Sequence, residues 1–241
     1  MLRYASITDP GNRDVNEDSI GVFDNDNLHL FVVCDGLGGH GKGEIASSIV
    51  RDVMGSQFEY CNDPVNFLGQ AFVVAQDVLL GEQYTQHAKN QMKTTCVALL
   101  IDDHTARIGH IGDSRLYIFK NNKVMRRTLD HSIPQMLVLS RQLKESEIRN
   151  HPERSYVMRV MGIEWENSQY ELMEPIQLRK CQAFLLCSDG FWELIEDAEM
   201  ASCLKESDSP EKWLEKMTAI VCTNGKNRNM DNFSAIAVFN E

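Results

Sequence analysis

Between residues 94 and 127 the chain sets its apolar runs so close together that few kinds of sheet can hold them. Residues 94–101, 106–111, 116–120 and 123–127 are separated by little more than Asp-Asp, Gly-Asp and Asn-Asn. A parallel crossover needs a dozen or more residues, whereas a hairpin needs two. The block therefore predicts short strands in a largely antiparallel sheet.

The flanking segments fill in the architecture. Leu28 to Cys34 is a nearly continuous apolar run, as a strand buried on both faces should be. The glycine-rich stretch 36–43 suits no regular element and reads as a loop. After it, Ile45, Ile49, Val53 and Met54 mark a helix over 44–58, and Leu68 to Leu79 mark a second, with Pro64 at a first-turn position. Residues 132–152 read as a small, polar helical excursion. Residues 183–187 and 234–239 are further buried strands. Between these two strands, Ser209-Pro210-Glu211 opens a helix through Cys222 with a cap, a first-turn proline and an acid. Helix pairs bracketing antiparallel strands predict an α+β fold, a layered sandwich in a single domain spanning 1–241.

Composition narrows the function. The formal net charge is −11, from 24 Lys+Arg against 35 Asp+Glu. So acidic a surface repels a phosphate backbone, which argues against nucleic-acid binding. No apolar run approaches the roughly 18 residues that span a bilayer, and no secretory leader is legible. The seven cysteines are scattered without C-x-x-C spacing, several inside apolar runs. They read as reduced thiols, and the expected compartment is cytoplasmic.

The acids carry the chemistry. Asp35 ends one apolar run and precedes Gly36. Asp113 follows another, and Asp189 follows a third and precedes Gly190. Asp231 stands just before the last strand, and Asp18 near the start. A carboxylate buried at a strand end without a partner costs several kcal/mol. Each such acid either caps a turn or shares a cation. An all-oxygen set without thiolate or imidazole suits Mg²⁺ or Mn²⁺.

Taken in order, Arg13-x-x-Asn16-Glu17-Asp18, Val33-Cys34-Asp35-Gly36-Leu37-Gly38-Gly39-His40, Ile111-Gly112-Asp113-Ser114-Arg115, Ser188-Asp189-Gly190 and Asp231-Asn232 resemble the metal-dependent protein phosphatases of type 2C. The likeness is to the compact bacterial members and runs nearly the whole length. It implies a four-layer α-β-β-α sandwich of two mainly antiparallel sheets flanked by helix pairs. It implies two Mn²⁺ or Mg²⁺ ions per site, with a possible third. Asp35 would bridge two metals and Gly36 offer its carbonyl oxygen. Asp189 and Asp231 would complete the ligands of the first metal, and Asp18, with Glu17 nearby, would serve the second, largely through waters. Asp113 with Asp189 would hold the third. Arg13 matches the arginine that binds the substrate phosphate. The implied activity is hydrolysis of phosphoserine and phosphothreonine by a metal-bridging water. The implied partners are phosphoproteins of a cognate Ser/Thr kinase, met by a monomer, with no nucleic acid and no membrane. Residues 131–155, bounded by His131 and His151, resemble the family's flap, with Ser140 where relatives often carry Gly. Leu37 stands where eukaryotic relatives carry His, so His40 and a metal-bound water remain as donors to the leaving group.

Two rival readings share these residues. Gly36-x-x-x-x-Gly41-Lys42 matches much of a nucleotide-binding P-loop, but Gly43 replaces the Ser or Thr that such a loop needs. A pseudophosphatase that only binds phosphoproteins should have lost ligands, and here every expected acid is present. Residues 120–127 form a modest basic cluster, read as a solvated hairpin.

Overall fold

Two antiparallel sheets pack face to face, and each carries helices on its outer side. The computed structural model describes residues 2–25, 27–37, 42–89, 91–167 and 169–240. One sheet runs β2-β3-β4-β5-β8, comprising β2 (Asp18–Asn25), β3 (Leu28–Asp35), β4 (Cys96–Ile101), β5 (Thr105–Ile111) and β8 (Glu171–Leu172); β9 (Ile176–Gln177) also pairs with β5. The other runs β1-β11-β10-β6-β7, from β1 (Leu2–Asp9), β11 (Phe233–Asn240), β10 (Ala183–Cys187), β6 (Arg115–Lys120) and β7 (Lys123–Arg127). Every pairing between these strands is antiparallel.

The period of two explains why β3 is apolar throughout. Leu30, Val32 and Cys34 face α1 (Gly43–Glu59) and α2 (Phe67–Thr85). Phe31 and Val33 point the other way, against Leu116, Phe184, Leu186 and Ile236 between the sheets. A strand covered on both faces has no polar side to show. The second sheet turns Leu185, Ala235 and Ala237 outward onto α5 (Asp197–Lys205) and α6 (Pro210–Gly225), where Trp213, Met217 and Met200 cover them. The expected helix-sheet-sheet-helix order is the order found.

Several local expectations shift. In α1 the fully buried stripe is Ala46, Val50, Met54 and Phe58, and Ile45, Ile49 and Val53 only flank it. Pro64 is not in the first turn of α2, which begins at Phe67; it lies in the preceding turn, where Asp63 accepts from the amides of Val65 and Asn66. Helix α6 continues past Cys222 to Gly225. The excursion at 132–152 resolves into α3 (Ile133–Leu139), capped by Ser132, and a 3₁₀ turn at Glu145–Asn150. All seven cysteines are free thiols, but Cys222 is exposed and Cys61 only partly buried. No helix is long and apolar enough to cross a membrane among the described residues.

Candidate active site

Register brings the acids together. Asp18 opens β2 and is the cross-strand partner of Asp35, which closes β3. Asp113 stands two residues beyond β5, whose last residue, Ile111, pairs with Cys96 at the start of β4. In the second sheet Cys187, at the end of β10, faces both Ala235 and Arg115. Asp189, which opens α4 (Asp189–Trp192), and Asp231, two residues before β11, therefore reach the same end. There Asp35, Asp113, Asp189 and Asp231 line one cavity of about 360 Å³, together with Arg13, Glu17 and Gly36. Asp18 is 8% exposed and sits behind this lining, where its Oδ2 accepts from Ser188 Oγ at 2.7 Å.

Tight backbone contacts hold the walls. The amide of Asp35 donates to Thr95 Oγ1 (3.1 Å), and its carbonyl accepts from Thr95 N and Thr94 Oγ1, both at 2.8 Å. Gly36 N–H donates to Glu17 O at 3.1 Å, and a Cβ on Gly36 would fall 2.3 Å from Gly43 O. Only glycine lets α1 close on the end of β3. Gly190 plays the same part opposite, since a Cβ there would lie 2.1 Å from Asn232 O.

The electrostatics are those of an anion-rich pocket. Burial, and then repulsion from Asp189, Asp18 and Asp113, pushes the Asp35 carboxyl well above the usual range. Burial, with Asp189 and Asp130 beside it, does the same to Asp113, which is 3% exposed. Asp18 is raised to about 6 by burial, against the stabilising hydroxyls of Ser234 and Ser188. Asp189 is raised to about 7 by burial, Glu193 and Asp231. Clustered carboxylates resist ionising together unless a cation joins them. Asp18 Oδ1 is buried without a hydrogen-bond partner among the described residues, and the donor set is oxygen throughout. The residues thus fit hard divalent cations.

Among the described residues no three of these acids bring ligand oxygens within 4.8 Å of one another. The set is wider than one ion spans. The trio that does meet this limit is His110, His131 and Glu171; each ring is anchored through one nitrogen, while His110 Nδ1 and His131 Nε2 have no hydrogen-bond partner among the described residues. Gly112 N–H donates to His131 Nδ1 at 3.1 Å, which leaves the ring proton on Nε2, 3.6 Å from Glu171. His110 Nε2 donates to Leu129 O at 2.8 Å, and the two rings stack at 4.7 Å. Burial holds His131 neutral, with a pKa of about 3. The pair props the Gly112–Asp113 turn.

Other residues do unforeseen work here. Asn232 Oδ1 accepts from Glu17 N (2.8 Å), while Nδ2 donates to Pro10 O (2.9 Å) and Val15 O (3.0 Å), so it fixes the loop that carries Arg13. Arg115, 1% exposed, grips Asp130 with two bonds of 2.8 and 2.6 Å and lies 3.3 Å over the Trp192 ring. Trp192 Nε1 in turn donates to Asp113 O at 3.0 Å. The Asp231-Asn232 and Gly112-to-Arg115 motifs contain both residues, but no spacing reveals what they hold. Arg13 Nη2 lies 2.9 Å from Asp231 Oδ2, each side chain about half exposed (46% and 50%). His40 lies outside the described residues.

A family model described as Protein phosphatase 2C matches residues 11–233. The Serine/threonine phosphatase stp of Listeria welshimeri is 29% identical over 218 residues, 84% of this chain and 82% of that protein. A putative protein phosphatase 2C-type of Streptococcus pyogenes is 28% identical and spans 100% of this chain and 98% of its own. The crystal structure of Serine/threonine phosphatase Stp1 from Staphylococcus aureus has a TM-score of 0.91 at 32% identity, covering 100% of this chain and 96% of that one. The chain belongs to the protein phosphatase 2C family.

Proposed function

We infer that the chain removes phosphate from phosphoserine and phosphothreonine on other proteins. It is a metal-dependent serine/threonine protein phosphatase of type 2C. The observation that carries the reading is one cavity lined by Asp35, Asp113, Asp189 and Asp231, with Arg13 among its walls.

The side chains divide the task. Asp18, Asp35, Asp189 and Asp231, with the Gly36 carbonyl, are the residues suited to hold two cations, Mn²⁺ or Mg²⁺, and Asp113 with Asp189 a third. Divalent cations so held lower the pKa of water from about 15.7 toward neutrality and offset the charge of the phosphate. Arg13 offers a planar fork to two phosphate oxygens, and its bond to Asp231 at 2.9 Å holds it in place. Water would attack phosphorus in line, losing a proton as the P–O bond to the serine or threonine breaks, and the leaving oxygen would take up a proton from His40 or a water, with no phosphoenzyme. Ser155 lines the cavity, which supports a flap at 131–155 that borders the substrate on a single catalytic domain. The remaining proposals are a cytoplasmic monomer and a cognate Ser/Thr kinase as antagonist.

The rivals lose ground on particulars. Lys42, which a P-loop would aim at phosphates, donates to Gln86 Oε1 at 2.9 Å. The acids that a pseudophosphatase would lose still meet in one cavity. The test is hydrolysis of p-nitrophenyl phosphate and a phosphothreonine peptide with Mn²⁺, Mg²⁺ or EDTA. Activity is expected with Mn²⁺ and none with EDTA, and Asp35→Ala or Asp231→Ala should abolish it in a folded protein. Undiminished turnover in EDTA defeats the mechanism.

A further inference from the structure

The loop from α6 to β11 brings to the rim of the active site an arginine that the mechanism leaves unused. A second hollow of about 380 Å³ adjoins the acid-lined cavity and shares Arg13, Ser155, Asp189 and Asp231 with it. Its outer wall includes Arg154, Glu193 and Arg228. The charges in this wall are unequally matched. Asp231 is paired with Arg13, and Glu193 with Arg154, whose Nε stands 2.9 Å from Glu193 Oε2. Arg154 keeps 42% of its side chain exposed, so the rest of its fork is free to meet a ligand. Arg228 is exposed and has no hydrogen bond or ion pair from its side chain among the described residues.

The loop is nonetheless tied down. Arg228 N–H donates to Gly225 O at 2.9 Å, and Asn224 Nδ2 to Leu194 O at 2.9 Å. Asn12 N–H donates to Met230 O at 3.0 Å, and Met230 N–H to Asn12 Oδ1 at 3.1 Å. These bonds fix the Arg228 backbone against the loop that carries Arg13. An unpaired guanidinium on a fixed backbone, facing a hollow that opens onto the reaction site, is placed to meet an oxyanion.

We propose that this hollow is a specificity subsite for a carboxylate or phosphate on the substrate beside the scissile phosphoresidue, with Arg228 as its reader and Arg154 as a second donor. The proposal rests on the phosphatase reading. An extended peptide advances about 3.3–3.6 Å per residue, so adjoining hollows take groups about one to three residues apart.

Phosphothreonine peptides carrying alanine, aspartate, lysine or a second phosphoserine at each of these flanking positions, on either side, test it. The readout is kcat/KM with Mn²⁺ at one fixed ionic strength. The native enzyme should favour an acidic over an alanine neighbour at one position by about fivefold, the scale of a partly exposed charge pair. Aspartate and phosphoserine, compared there, identify which oxyanion the site prefers. Arg228→Ala should reduce that ratio toward one, and Arg228→Glu should invert it in favour of lysine. Because each result is a ratio within one variant, a general loss of activity does not imitate it. Turnover that ignores the neighbour, or an acidic preference intact in both variants, overturns the subsite and leaves the phosphatase reading standing. No turnover of any phosphopeptide sinks both.

Discussion

Asn232 shows how much of the site hangs on a side chain that touches no substrate. Buried at 6% exposure, it uses both ends of its amide to hold the backbone at Pro10, Val15 and Glu17. Removing it takes a hydrogen bond from three part-buried backbone groups, each bond worth about 0.5–1.5 kcal/mol. Asn232→Ala should destabilise the protein by about 2 kcal/mol in urea unfolding. It should also lower kcat/KM, because Arg13 lies on the segment set free and Asp18 directly follows it. Asn232→Asp should fare no better, since a carboxylate keeps the bond from Glu17 N but faces two carbonyls. A variant with native stability and native kinetics would show that the loop holds itself. Sequence marked Asp231-Asn232 as a motif, yet gave no means of separating a ligand from a positioning residue. Both are polar, adjacent and short, and the three partners of Asn232 are distant in the chain.

At the scale of elements, the site lies where strands end, and this is why it was legible. Apolar runs show where strands stop, and acids just past those points had to face one edge or another. What stayed hidden has physical reasons too. Strand β1 alternates between partly buried and exposed residues, so its edge position mutes the pattern. Helix α4 has four residues, too few for periodicity. Three of the four apolar residues that mark α1 only flank its buried stripe, and Ala46, fully buried, counts for little by hydropathy. The strut under Asp113 was equally unreadable. Arg115 pairs with Asp130 fifteen residues away and is covered by Trp192 from another element. Breaking a buried pair from one side costs about 3–5 kcal/mol, because the other charge stays buried. Arg127, 3.3 Å from Asp130, softens the loss. Arg115→Ala should therefore cost about 3 kcal/mol in chemical denaturation and weaken Mn²⁺ binding through the Asp113 turn. The double change Arg115→Met with Asp130→Leu should recover much of the stability. If Arg115→Ala melts like the native protein, the strut carries no load.

For the molecule as a whole, the acids make folding and metal binding depend on pH in opposite senses. Asp18 and Asp189 have folded pKa values of about 6 and about 7, above the ordinary 3.8. Without metal, the folded state holds more protons than the unfolded chain between about pH 4 and 7. Their contribution to stability is complete below the unfolded value and is lost as pH rises through the folded ones. His110 and His131 oppose this, because both are held below 6.5 by burial, so their contribution is lost as pH falls. A single melting curve against pH mixes the two. The difference between melts in excess Mn²⁺ and in EDTA separates them, since the histidines contribute alike to both. Bound cations favour the ionised acids and must compete with protons for them. The rise in Tm produced by Mn²⁺ should therefore be small at pH 5 and grow through pH 6 to 7. In Asp18→Asn the growth should shrink, because one of the competing protons is gone. A Tm gain that is flat from pH 5 to 8 would mean that the cations do not sit among these carboxylates.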